Sequence, residues 1–275
     1  MGIGVFSIFY HDLTPEAMAR QIKEQGFDAV QLYLNMSEVP GHPSELDDAA
    51  CDRIKEAFAS EGVSIATLGA FGNIAHPDPS RQKEAIDLVK QACKWAARIG
   101  TDSVSTMTGS YNAEDEWSDH EFNHTQEALE RLIPVVKDLA QTAGEHGLKL
   151  CLEPYYHSIA DTAERTRLLI EASGSNVGVM YDPAAMVGPD RIRDSAQALR
   201  DDFRILFDSF LVAHVEDVAF IDGKPQFVLP GKGGIDWDEY YRLLRVYRWR
   251  GPTIIEIHEQ LDTQLSQVKR GLGIA

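Results

Sequence analysis

Four short apolar runs in the second half of the chain end in the same unusual way. Lys149-Leu150-Cys151-Leu152 stops at Glu153, followed by Pro154. Val177-Gly178-Val179-Met180-Tyr181 stops at Asp182, followed by Pro183. Phe210-Leu211-Val212-Ala213 stops at His214, and Thr253-Ile254-Ile255 stops at Glu256. Each run has the length and apolar content of a buried strand. A polar or charged group at the end of a buried strand costs free energy unless a partner or a metal ion meets it. Successive runs lie roughly 30–40 residues apart, the size of one strand–helix unit. Four consecutive units therefore offer Glu, Asp, His and Glu at equivalent places.

The alternation extends upstream. Apolar runs at 3–9, 28–33, 63–68 and 102–108 predict four more strands. Thr14 before Pro15, Asp78 before Pro79 and Asp236 before Trp237 read as helix N-caps, whose side chains satisfy the first free backbone N–H groups. Gly26, Gly62, Gly100 and Gly147 close helices ahead of the next strand. Further helices are predicted over 46–60, 121–146, 161–173 and 189–203, with a bend or break at Pro134. Residues 218–235 read as a loop carrying Pro230-Gly231-Lys232-Gly233-Gly234. Eight strands alternating with helices in 275 residues predict a parallel sheet closed as a single (β/α)8 barrel, one domain spanning 1–275. In such barrels the working residues sit at the carboxyl ends of the strands. That rule selects Glu153, Asp182, His214 and Glu256 independently.

Charge narrows the partners. With 43 acidic and 26 basic residues the formal charge is -17, a field that repels phosphate backbones and anionic membrane surfaces. Neither nucleic acid nor membrane is expected as a partner. Cys51, Cys93 and Cys151 show no paired spacing and read as buried thiols in a reducing compartment. The first residues show no basic leader, and no run of 18 apolar residues occurs, so a cytoplasmic protein is expected.

Three carboxylates and one imidazole suit a six-coordinate divalent cation such as Mn²⁺, Co²⁺ or Mg²⁺. A structural zinc site would draw on more Cys or His. Four protein ligands leave two positions for substrate oxygens. Other candidates surround the same mouth. His157, four residues past Glu153, is a candidate for proton transfer or substrate contact. Asn73 and His76 follow the third strand and are candidates for substrate binding. Tyr10, His11, Trp117, Tyr155 and Tyr156 offer an apolar wall at the mouth, and Lys232 offers a cation for an anionic group.

Leu152-Glu153-Pro154, Met180-Tyr181-Asp182-Pro183, His214-Val215-Glu216-Asp217, Pro230-Gly231-Lys232-Gly233, Asp236-Trp237 and the stretch from Asn73 through Pro77-Asp78-Pro79 to Arg81 resemble the sugar phosphate isomerase/epimerase family. This is the xylose isomerase-like TIM barrel group that includes ketose 3-epimerases, hydroxypyruvate isomerases and inosose dehydratases. The resemblance covers essentially the whole chain. It implies that Glu153, Asp182, His214 and Glu256 bind one divalent metal ion, Mn²⁺ first. It also implies that Glu153 and Glu256 act as acid/base groups on opposite faces of an enediolate. Many ketose 3-epimerases carry an arginine soon after the histidine strand, and Glu216-Asp217-Val218-Ala219-Phe220 has none. At the last strand Glu256 is preferred over Glu259 because it directly follows the apolar run.

The expected activity is a metal-dependent sugar isomerase or epimerase that moves a proton next to a carbonyl, with a small sugar or keto-sugar as substrate. A leaving group beta to the acidified carbon would turn the same site into a lyase or dehydratase on a keto-sugar, 3-keto-glycoside or keto-inositol. An endonuclease acting at abasic DNA sites, whose fold is related, would need more histidine ligands and a basic face. A non-catalytic sugar-binding protein would not need the complete quartet. The resemblance further implies pairing of barrels into a homo-oligomer.

Overall fold

The structure, a computed structural model, describes residues 2–274. In chain order the strands are β1 (Ile3–Phe6), β2 (Ala29–Leu32), β3 (Ser64–Gly69), β4 (Ser103–Met107), β5 (Lys149–Glu153), β6 (Val177–Tyr181), β7 (Phe210–Val215), β8 (Asp217–Ile221), β9 (Lys224–Val228) and β10 (Thr253–Ile255). All but β8 and β9 are parallel and close into a barrel, with β10 pairing to both β7 and β1. The expected (β/α)8 barrel is the observed fold. Helices α1 (Pro15–Glu24), α2 (Asp48–Ser60), α3 (Pro79–Ile99), α4 (Gln126–Glu145) and α5 (Ala163–Ser173) follow the first five strands. A short α6 (Pro183–Met186) and α7 (Ser195–Leu206) follow β6, and α8 (Trp237–Val246) and α9 (Leu261–Leu272) complete the ring.

Side-chain alternation sorts each strand into two environments. Leu150, Leu152, Val179, Ala213 and Ile255 point outward and join the large core between barrel and helices. Burying each such leucine or isoleucine contributes about 1.5–3 kcal/mol. Ala29, Cys151, Met180, Val212 and Ile254 form a second, smaller cluster inside the barrel, with Phe6, Ala66 and Phe71 packed on it. Two residues further along each of these strands the side chain again points inward, at the open end. Those positions are Gln31, Glu153, Asp182, His214 and Glu256.

The predicted caps are in place. Thr14 accepts from Ala17 N, Asp78 from Ser80 N and Arg81 N, and Asp236 from Glu239 N. All three cysteines are free and buried. Among the described residues no helix is long and apolar enough to cross a membrane.

The structure departs from the sequence expectations in four places. The first strand ends at Phe6, and Ser7–Phe9 is a 3-10 turn. Helix α4 starts at Gln126 behind a 3-10 turn at Glu121–His124 and runs unbroken through Pro134. Pro134 and Glu130, whose carbonyl loses its i+4 donor, are both exposed, so water can take that carbonyl. The helix expected over 189–203 is α7, beginning at Ser195 after a 3-10 turn at Ile192–Asp194. The stretch 218–235 is not all loop, because β8 and β9 pair there as an antiparallel hairpin. Its turn is Asp222-Gly223, both with positive φ (51° and 76°), the pairing that two-residue hairpin turns favour.

Candidate active site

Glu153 ends β5, Asp182 follows β6, His214 lies in β7 and Glu256 follows β10. One ligand atom from each falls within 4.8 Å of all the others. His214 Nδ1 stands 3.3 Å from Glu153 Oε1, 3.2 Å from Glu256 Oε2 and 3.8 Å from Asp182 Oδ2. His214 is fully buried, Glu153 and Asp182 are buried, and Glu256 is nearly so. Glu259 is exposed.

The opposite nitrogen of His214 is tied down. Nε2 lies 2.7 Å from Gln31 Oε1, an acceptor, so Nε2–H donates and the neutral ring presents the Nδ1 lone pair to the carboxylates, a position taken by a proton or a metal ion. Nδ1 is buried and makes no hydrogen bond of its own. Three buried carboxylates around one ring nitrogen, with no lysine or arginine lining the cavity beyond them, are unfavourable unless a cation, a proton on the ring or a metal ion in its place, fills the space. The donor set therefore fits a divalent metal ion, with Gln31 holding the histidine ring in the ligating tautomer.

Crowding and burial shift Glu153, His214 and Glu216. Burial pushes Glu153 up to about 7; His214 opposes this, and Glu256 and Asp182 add to it. Burial lowers His214, but Glu256, Asp182 and Glu153 outweigh it and hold the imidazole well above its ordinary value. Burial, then Asp182 and Glu256, hold Glu216 well above the carboxylate range.

Above this centre lies a cavity of about 330 Å³. Its polar lining is Gln31, Glu116, Glu153, Asp182, Glu216 and Glu256. Phe6, Tyr33, Phe71, Trp117, Tyr155 and Phe227 supply aromatic walls. The Trp117 and Tyr155 rings meet edge to face at 6.0 Å. Phe227 comes from the β8–β9 hairpin, which reaches over the barrel mouth. A second cavity of about 340 Å³ shares Tyr33 and Glu116 with the first and includes His42, Asn73, His76 and Arg81.

The other candidates fall in different places. Asn73 and His76 are buried in the second cavity. Asn73 bridges the loops after β3 and β4, donating to Ser110 O (2.8 Å) and accepting from Ser110 N (2.9 Å). His76 accepts from Asp78 N (3.0 Å). His157 packs on Tyr155 and Tyr156, with Nδ1 3.3 Å from the Trp117 carbonyl, and does not line the main cavity. Tyr10 is buried and donates to Gln25 of the segment after α1. His11 is exposed beside Asp12. Lys232 is exposed in a loop that wraps Asp217. That carboxylate accepts from Val218 N, Gly231 N, Gly233 N, Ile235 N and Trp237 Nε1, at 2.8–3.0 Å. A Cβ on Gly233 would lie 2.3 Å from Asp217 Oδ1, so glycine is required there.

Gln31, Glu216 and Phe227 are among the cavity residues that sequence reasoning missed, as are Glu116, Tyr33 and Phe71. The first three had a signal: a polar residue inside the apolar run Ala29–Leu32, a position of inward parity after His214, and an Asp-Gly hairpin turn.

Residues 19–273 match the family described as Xylose isomerase-like TIM barrel, and the chain belongs to that family. A crystal structure of a D-tagatose 3-epimerase-like protein superposes with a TM-score of 0.76 at 18% identity, covering 100% of this chain and 98% of that one. A Xylose isomerase-like TIM barrel protein from Mycobacterium smegmatis, crystallised with magnesium, gives 0.73 at 16% identity, covering 99% and 96%. At these identities the likeness is one of fold. The rhizopine catabolism protein MocC of Rhizobium meliloti is 27% identical over 134 residues, which is 44% of this chain and 40% of that protein.

Proposed function

We propose that this protein is a divalent-metal-dependent sugar isomerase or epimerase that moves a proton on the carbon next to a carbonyl. The observation that carries the reading is the convergence of Glu153 and Glu256 on His214 Nδ1, at 3.3 and 3.2 Å, on the floor of a cavity of sugar size. Glu153, Asp182, His214 and Glu256 hold one metal ion, Mn²⁺ first and Co²⁺ or Mg²⁺ as alternatives. When bound, the ion supplies Lewis-acid stabilisation for the negative charge that develops on the substrate oxygens.

The rest falls to the chain's own side chains. One of Glu153 and Glu256 takes the proton from the carbon beside the carbonyl, and the other returns a proton to the same carbon or its neighbour. Return to the opposite face of the same carbon gives the epimer. Return to the neighbouring carbon, with the hydroxyl proton of the deprotonated carbon passing to the former carbonyl oxygen, gives the isomer. Gln31 keeps His214 oriented, and its own Nε2 is buried without a partner beside the cavity. Trp117 and Tyr155 exclude water above the reacting carbon. His157 is a positioning residue that braces Trp117 and Tyr155. Tyr10 and Lys232 would reach a substrate only through movement of their segments, and Asn73 and His76 serve a substrate that extends into the second cavity.

That second cavity favours one other reading. Room beyond Tyr33 and Glu116 suits an aglycone, and a 3-keto-glycoside bound there would lose it as a beta leaving group, making the protein a lyase.

Proton NMR in D₂O on Mn²⁺-loaded protein, with ketoses, keto-inositols and 3-keto-glucosides, separates these outcomes. The expected result is deuterium at the alpha carbon with a new epimer or isomer, abolished by Glu153→Gln. Deuterium uptake with release of water or aglycone selects the lyase. No exchange with any of them overturns the proposed chemistry.

A further inference from the structure

Strand β7 leaves the barrel with two adjacent acidic residues in opposite situations. Asp217 collects five N–H donors, four of them from Gly231, Gly233, Ile235 and Trp237 in the segment it organises. Glu216 points the other way, into the cavity, in register with Val212 and His214. It is 8% exposed. Its hydrogen-bonding neighbour is another carboxyl, that of Asp182, and it lies outside the four-residue metal cluster. Two carboxyls buried side by side are costly unless a cation meets them, and no lysine or arginine lines the cavity to do so.

Its surroundings define what would satisfy it. Five carboxylates line the cavity, Glu116, Glu153, Asp182, Glu216 and Glu256, and no lysine or arginine does. A divalent ion at the metal centre offsets two of those charges. The remaining walls are aromatic. Aromatic faces with carboxylates and no basic side chain attract a cation. A phosphate or carboxylate placed against Glu216 and Glu116, away from the metal centre, meets like charge.

We propose that Glu216 binds an ammonium group of the substrate, so that the site takes an amino-substituted polyhydroxy ketone in preference to a phosphorylated one. This assignment rests on the proton-transfer reading of the same centre. The half-buried Glu116, on the wall shared by the two cavities, reinforces the preference.

The test is calorimetric titration of the Mn²⁺-loaded protein with three probes that differ at one carbon: 1-amino-1-deoxy-D-fructose, D-fructose and D-fructose 1-phosphate. The amino ketose binds about tenfold tighter than fructose, and the phosphate binds more weakly than fructose. Glu216→Gln, with bound Mn²⁺ per chain unchanged, brings the amino ketose to within about threefold of fructose. Glu116→Gln lowers the same preference by a smaller factor, which keeps the test decisive should Glu216→Gln fold poorly. A phosphate that binds as well as fructose, an amine preference that survives both substitutions, or binding of none of the three overturns the assignment. Deuterium exchange in the same samples judges the underlying chemistry separately. The expected binding order without exchange defeats the proton-transfer reading alone. Exchange with fructose and its phosphate at equal efficiency defeats this assignment alone.

Discussion

His214 is held by two different kinds of neighbour, and the difference fixes which nitrogen serves the site. Gln31 takes the Nε2 proton at 2.7 Å, leaving Nδ1 to the carboxylates. Gln31→Leu removes that anchor while keeping the strand apolar. We expect Mn²⁺ affinity to fall about 10–100-fold, read by metal titration, and an unchanged affinity would show that Gln31 does not orient the ring. Asp202 supplies a pH test away from the metal. It is 1% exposed, paired with Arg191 at 2.7 Å and hydrogen-bonded to Tyr181 at 3.0 Å. Burial pushes it up to about 6, against the lowering effect of Arg191. The folded state therefore binds its proton more tightly than the unfolded chain. This contribution to stability is fully present below the ordinary value of 3.8 and is lost as pH rises through about 6. In urea unfolding, the stability of wild type relative to Asp202→Asn should decline across that window. A difference that is flat or rises with pH would contradict the shift. At this scale the sequence was legible where parity applied. Glu153, Asp182, His214 and Glu256 each stand two residues past a residue of the barrel interior, and Gln31 obeys the same rule after Ala29. Tyr10 and His157 were less legible because a 3-10 turn and a loop, not a strand, set where they point.

Among the elements, the β8–β9 hairpin and the loop after it do the most to shape the mouth. Asp217 is their common anchor, with the Pro230–Gly234 segment folded around one carboxylate. Asp217→Ala leaves those donors to water or to nothing, at a cost of about 3 kcal/mol or more. A lower urea midpoint and new protease cleavage near 229–234 are expected, and a variant as stable and resistant as wild type would refute the anchor. The hairpin itself was readable from Asp222-Gly223 between apolar stretches. It was obscured by Pro225, which is tolerated because β9 is an edge strand. The unbroken α4 was not readable, because whether a proline breaks a helix depends on whether solvent reaches the freed carbonyl.

Across the molecule, closure of the barrel brings β10 beside β1 and sets the four ligand-bearing strands side by side in the order β5, β6, β7, β10. Gly4 stands at that closure. A Cβ there would lie 2.3 Å from Ala29 O and 2.8 Å from Ile254 Cδ1. Gly4→Val should cost about 3 kcal/mol and lower Tm by roughly 6–12 °C, and a Tm equal to that of wild type would mean the seam is looser than described. The alternation of strands and helices made the barrel itself the most legible feature of all, since eight such units close in only one common way.

The central claim is that residues from four successive barrel strands make one metal site, and Mn²⁺ titration followed by electron paramagnetic resonance tests it most directly. Wild type should bind one Mn²⁺ per chain, and His214→Ala and Asp182→Asn should leave the ion free at the same concentrations while keeping the circular dichroism of the folded barrel. Equal Mn²⁺ binding by wild type and both variants would contradict the site.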